Sequence, residues 1–177
     1  MCIRDRLLLV FLAGAVTYLL ASLFFMTEPK DPYLGEISED EMVNSAPAIQ
    51  MYFYIKKYSK QYGVPEAYAF AVAYHETRYK GPLDLAYDHR ITSSAGAVGP
   101  MQIIPQYAHK YAGRRVTAQE LKNNIQLNVK VSMRMLRKWY DIHKNWGLAV
   151  GAYNTGQPVL NGYARSVINK EYHWVKM

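Results

Sequence analysis

The chain holds one cysteine, Cys2, so no disulfide can join two parts of it and its stability must come from a packed core. That cysteine stands before the apolar N-terminal run, not after it, and so is not placed as a lipoprotein cysteine is. A zinc helix of the H-E-x-x-H kind is missing as well. His75 and Glu76 open the pattern, but Tyr79 stands where the second histidine belongs, and the other histidines are scattered. "GAVG" (Gly96 to Gly99) has no G-K-[ST] behind it, and as a G-x-x-G loop it lacks the basic residues that clamp phosphates. No Ser-His-Asp arrangement follows from spacing, no segment alternates convincingly with a strand's period of two, and no internal repeat is visible. These absences remove the disulfide scaffold, the metalloenzyme and the phosphate-loop protein from consideration, and no metal or cofactor is expected. Charged residues are 20% of the chain and hydrophobic ones 50%, which excludes a disordered polymer.

What is present is unevenly distributed. Residues 7–26, "LLLVFLAGAVTYLLASLFFM", carry no charge over twenty positions, and at 1.5 Å per residue they span roughly 30 Å, a bilayer core. Arg4 and Arg6 precede the run and acids follow it, so the N-terminus should stay cytoplasmic and the remainder cross. The small residues that a signal peptidase needs sit in the middle of the run, so residues 1–26 read as an uncleaved transmembrane anchor. The expected location is the inner membrane, crossed once, with the following domain periplasmic. Residues 27–45, with Pro29, Pro32, Gly35 and a cluster of acids, read as a linker, with a capping box at Ser38 and Glu41. Net charge is +1 over residues 1–26, −5 over 27–47 and +11 from Ala48 onward. A basic domain behind an acidic spacer suggests an anionic partner: nucleic acid, membrane surface or cell-wall polymer.

Residues 46–177 form the domain proper, and its periodicities are helical. Ala48, Met51, Ile55, Tyr58 and Tyr62 recur every three or four residues before Gly63 stops them. A second helix is expected from Pro65 to about Tyr79, apolar all round through Tyr74 and therefore central. Residues 80–94 read as an unusually long loop. Thr117 and Glu120 make a capping box expected to open the longest helix, with Leu121, Ile125, Asn128, Ser132, Met135, Leu136 and Trp139 on its inner face. The small polar members Asn128 and Ser132 suggest a close crossing or a site wall. Trp146, Ala149, Val150 and Tyr153 mark a further helix ending near Gly156, and Pro158 is expected to begin the next. The fold class is mainly α.

Glu76 is the chemically pointed residue. It shares a face with Val72 and Ala73 on a helix that is otherwise buried. Desolvation disfavours its charged form and raises its pKa, which a general acid at neutral pH requires. Pairing with Arg78 or Lys80 would make it a structural ion instead.

Taken in order, "HETRY", "SSAGAVGPMQIIP", "LNVKVSMRML", "AVGAYNTG" and "EYHWV" resemble the soluble lytic transglycosylases, glycoside hydrolase family 23, which have a lysozyme-like fold. The family pattern is a catalytic Glu followed by Ser or Thr, then S-x-x-G-A-x-G-L-M-Q-I-x-P, A-Y-N-A-G and a late Y-x-x-V. The resemblance runs from about Ala46 to Val175. It implies that Glu76 is the catalytic acid/base, that Ser93 lies near the reacting sugar, and that Met101 and Gln102 line the glycan groove. It also implies that Tyr153 and Asn154 reach the substrate and that Tyr172 of Y-x-x-V approaches Glu76. Pro100 stands where Leu is usual, Thr155 replaces the Ala of A-Y-N-A-G, and the Glu76-to-Ser93 gap is longer than usual.

The implied reaction cleaves the bond between N-acetylmuramic acid and N-acetylglucosamine in peptidoglycan and closes a 1,6-anhydro ring, with one carboxyl group serving twice. Two alternatives stand beside it. A hydrolytic muramidase would need a second carboxyl, for which Asp84 and Asp88 are the nearby candidates. A catalytically inactive peptidoglycan-binding module would need none. The expected partners are glycan strands and the membrane, with cell-envelope or phage machinery as the setting. Nucleic acid conflicts with an export segment.

Overall fold

The computed structural model describes residues 38–171. The expected anchor over residues 1–26, residues 27–37 of the expected linker, and Tyr172 with Val175 lie outside the described residues. Among the described residues no helix is long and apolar enough to cross a membrane.

Eight helices and no named strand make up the described part. The first, α1 (Glu39–Val43), starts as its capping box dictates: Ser38 Oγ accepts the Glu41 N–H and the Glu41 carboxylate accepts the Ser38 N–H. Met42 is fully buried and fixes this turn on α2 (Pro47–Tyr62). That second helix follows its periodicity. Ala48, Met51, Ile55 and Tyr58 are buried, and Gly63 ends the helix with φ of 63°, a conformation glycine adopts without steric cost.

The next helix, α3 (Glu66–Thr77), buries Ala69, Phe70, Ala71, Val72 and Ala73, as an element apolar all round must. Pro65 caps it, and it stops two residues short of the expected end. Arg78 takes the left-handed conformation at φ 60°, so the chain reverses after Thr77. For a side chain with a Cβ that conformation costs about 1 kcal/mol. Two contacts offset it: the Arg78 guanidinium lies 5.4 Å from the Tyr74 ring centroid, and the reversal buries Tyr79, whose hydroxyl donates to Ala48 O at 2.8 Å.

Residues 80–104 contain turns and two isolated bridges, Thr92 with Val98 and Val98 with Ile103. After α4 (Pro105–Ala112) the expected single long helix is two: α5 (Ala118–Asn123) and α6 (Ile125–His143). Thr117 and Glu120 form their box, but it opens only the short helix. Asn124 is extended (φ −107°, ψ 97°), and its side chain accepts the Leu127 N–H, so it ends one helix and caps the next. The stripe of apolar residues continues through this break, which is why periodicity alone hides it.

The longest element, α6, lies against α2 on one side and α7 (Trp146–Thr155) on another; α7 meets α8 (Gly162–Ile168), α8 meets α3, and α3 returns to α2. The five helices thus close a ring of contacts, with α4 laid on α6. The last helix does not begin at Pro158. Asn161 is its cap, accepting the Ala164 N–H at 2.8 Å, because residues 157–160 first cross α7. That crossing is close: a Cβ at Gly151 would run into the backbone of Val159.

Candidate active site

A groove of about 690 Å³ opens between the end of α3, the loop from Ser93 to Ile104, α4, α6 and the end of α7. Glu76, one residue from the end of α3, is the only acid lining it among the described residues. Among the described residues no ion pair involves Glu76, and Arg78, one of the bases expected as its structural alternative, turns onto Tyr74 instead. The Tyr163 hydroxyl of α8 donates to Glu76 Oε1 at 2.6 Å. Burial pushes the Glu76 carboxyl up to about 7, with the Tyr163 hydrogen bond opposing that rise. The group is therefore poised to hold and to lose a proton near neutrality.

The neighbouring Thr77 fixes the geometry. Its hydroxyl donates to Pro100 O at 2.8 Å, and the Tyr87 hydroxyl lies 2.7 Å from it. One residue thus ties the end of α3 to two points of the loop that follows, Tyr87 and Pro100. The Gly-rich loop is held from beneath by Asn128. Its Oδ1 accepts the Met101 N–H at 3.0 Å, and its Nδ2 donates to Val98 O and Leu121 O, each at 3.0 Å. Gly99 has φ of 76°, and a Cβ there would strike Asn128 and Leu121 O, so the loop can lie this close to α6 only as glycine.

Of the expected site residues, Glu76, Ser93, Gln102, Tyr153 and Asn154 line one groove. Ser93 Oγ accepts the Ala97 N–H at 3.1 Å, which orients it in the turn. Gln102 sits at φ 49° and donates to Gly99 O at 2.9 Å. The Tyr153 hydroxyl donates to Met101 O at 2.5 Å and lies 3.1 Å from Ser132 Oγ. Burial and the nearby Glu76 charge both hold Tyr153 well above the usual phenol range, so it stays protonated. Asn154 Oδ1 accepts from Asn161 Nδ2 at 3.1 Å, leaving its own amide N–H groups for the groove.

Met101 is a correction. Its side chain is fully buried and does not line the groove; its backbone, held between Asn128 and Tyr153, is what it contributes. Thr155, the departure from the family pattern, closes the end of α7 by donating to Gly151 O at 2.9 Å and accepting the Gln157 N–H at 3.1 Å.

Sequence reasoning missed Tyr163. Tyr172, expected to approach Glu76, lies outside the described residues, and among those described Tyr163 reaches the carboxyl. A signal was present: with Asn161 taken as the cap, Tyr163 and Val167 fall four apart on one face of α8. His75 is drawn into the same contact. Its ring centroid lies 5.6 Å from that of Tyr163, and burial together with Arg78 lowers its pKa, favouring a neutral ring. No cluster of metal-binding side chains occurs among the described residues.

A protein-family model described as "Transglycosylase SLT domain" matches residues 53–174. No curated protein matches the chain.

Proposed function

Because this chain belongs to the transglycosylase SLT domain family, whose members are peptidoglycan lytic transglycosylases, we propose that Glu76 alone serves as both acid and base in cutting the muramic acid–glucosamine bond. The observation that carries this reading is, among the described residues, a single groove carboxyl pushed up to about 7 and held by one neutral donor, Tyr163. At neutral pH a large share of Glu76 carries its proton. With Tyr163 on Oε1, that proton sits on the other oxygen and is given to the bridging sugar oxygen as its bond to the muramoyl C1 breaks.

The carboxylate so formed is stabilised by the same Tyr163 hydrogen bond, which strengthens as charge develops on its acceptor. It then takes the proton of the muramoyl C6 hydroxyl as that oxygen bonds to C1. Glu76 regains its starting form, and the product carries a 1,6-anhydro ring. No water is consumed. Ser93, Gln102 and Asn154 supply the amide and hydroxyl groups that orient acetamido sugars beside Glu76.

A hydrolase would place a second carboxyl across the bond to activate or replace water. Asp84 and Asp88 are not among the residues lining the groove, which favours the ring-closing reaction. Mass spectrometry of digested cell walls tests this. Products one water lighter than reducing-end muropeptides are expected, and reducing ends alone would sink it. We further read residues 7–26 as an anchor that holds the domain on the outer side of the inner membrane. Release of the full chain by alkaline carbonate without detergent would overturn that placement.

A further inference from the structure

The groove has two chemically different ends. Around Glu76 the lining is polar and amide-rich, with Ser93, Gln102, Asn154 and Gln157. The arm between α4 and α6 carries no amide and no acid. It is built from Ile104, Tyr107, Tyr111, Met135 and Trp139, with Lys110 as its one cation. Tyr107, Lys110 and Tyr111 stand three and four residues apart and share a face of α4, while Met135 and Trp139 face them from α6 at a spacing of four.

This arm is poorly suited to another acetamido sugar. A sugar binds through open ring faces and hydrogen-bonding amides, and here one face of each ring is already covered. The Lys110 ammonium lies 5.9 Å from the Tyr107 centroid, the Lys138 ammonium lies 5.6 Å from that of Tyr111, and His143 stacks on Trp139 at 5.8 Å. What the arm offers is apolar surface with the Lys110 ammonium in its lining and the Lys138 ammonium beside Tyr111. Lys110 enters none of the ion pairs found among the described residues, whereas nearby Arg114 is held by Glu120 and Arg137 by Asp141. An unneutralised ammonium on an apolar wall fits a ligand with an aliphatic body and a carboxylate.

We infer that the α4–α6 arm binds the peptide stem carried by the glycan and that Lys110 recognises a stem carboxylate, which makes Lys110 a specificity-determining residue. This rests on peptidoglycan being the ligand. The muramoyl lactyl group is a second source of carboxylate, but in intact strands it is tied up as the amide that joins the stem.

The test separates binding from cutting and one carboxylate source from the other. Calorimetry with the full-length Glu76→Gln chain in detergent would compare glycan strands bearing stems with strands stripped by an amidase, which exposes the lactyl carboxylate. Stem-bearing strands should bind about tenfold more tightly, the scale of one partly shielded charge pair. Adding Lys110→Glu should reduce that preference to within about twofold, and Lys110→Gln, which keeps helix propensity, should give an intermediate value. Equal binding of the two strands, tighter binding of stripped strands, or a preference that survives Lys110→Glu would overturn the assignment. Cutting by the wild type is read separately. A wild type that forms no anhydro ends while the Lys110-dependent preference holds removes the proposed reaction and leaves the stem site standing.

Discussion

Beneath the groove, polar groups are tied down; on its surface, the one that matters is left nearly alone. Asn128 is fully buried yet makes three hydrogen bonds, to Met101, Val98 and Leu121. Thr77 is linked to both Pro100 and Tyr87. Glu76, adjacent to Thr77 on the same helix, has among the described residues one donor, Tyr163, and no cation. The two regions differ because they do different work. A buried polar group without partners costs about 1–3 kcal/mol, so a scaffold must satisfy its own. A general acid must not be satisfied in its charged form, because each added donor or cation would pull its pKa back toward the ordinary carboxylate range.

The strongest way to break this comparison is Glu76→Gln. The amide keeps the shape and can still accept from Tyr163, but it cannot transfer a proton. Wall-clearing activity should fall by about a thousandfold or more, within the range that general acid–base catalysis contributes. Clearing at near wild-type rate would contradict the role given to Glu76.

Asn128→Leu attacks the other region. It keeps the volume and takes their Asn128 partner from the Met101 N–H and the Leu121 carbonyl in the core, while Val98 O keeps the Ile103 N–H. A loss of about 3 kcal/mol in denaturant-measured stability is expected. A loss under 1 kcal/mol would mean that the loop does not depend on this peg.

The contrast also shows what the sequence could reveal. Helix identity was legible because burial imposes periodicity: Ala48, Met51, Ile55 and Tyr58 all point inward as their spacing requires. Asn128 and Ser132 were legible as polar intruders on an apolar stripe. Breaks were harder. Asn124 splits the expected long helix, yet Leu121 and Ile125 on either side of it stay in phase, so the stripe carries no mark of the interruption. The start of α8 was displaced because Pro158 is a permissive first-turn residue, whereas the cap that acts is Asn161. That shift concealed Tyr163, since its nearness to Glu76 depends on two helices distant in sequence. Met101 was misread for a related reason: a motif names a position and does not say whether the side chain or the backbone serves the site.

Linkage gives a subtler test of the under-satisfied carboxyl. Glu76 is raised in the folded protein, from an ordinary 4.5 to about 7. The folded state therefore holds this proton more tightly than the unfolded chain. Its contribution is fully present below about pH 4.5, declines as pH rises through the interval, and is gone above about pH 7. At pH 8 the buried charge is a burden, so Glu76→Gln should stabilise the protein there by about 3 kcal/mol and change little at pH 4. Denaturant melts of both proteins at the two pH values check the sign. Equal stabilities at pH 8 would mean that the carboxylate is better solvated than its burial indicates.

Tyr163→Phe should have the smallest of these effects and separates the two duties of its hydroxyl. Removing the donor takes away an influence that lowers the Glu76 pKa, so the alkaline limb of the pH–rate profile should move upward. The carboxylate left after the first proton transfer also loses the Tyr163 hydrogen bond, and a charge-assisted bond of this kind contributes about 1.5–3 kcal/mol. At neutral pH kcat should therefore fall by about tenfold or somewhat more, with KM little changed, because the bond strengthens only as charge develops. A fall in kcat without movement of the alkaline limb would confine Tyr163 to the second half of the reaction. Movement of the limb with kcat intact would mean that Tyr163 tunes the proton and leaves the developing charge to other donors in the groove.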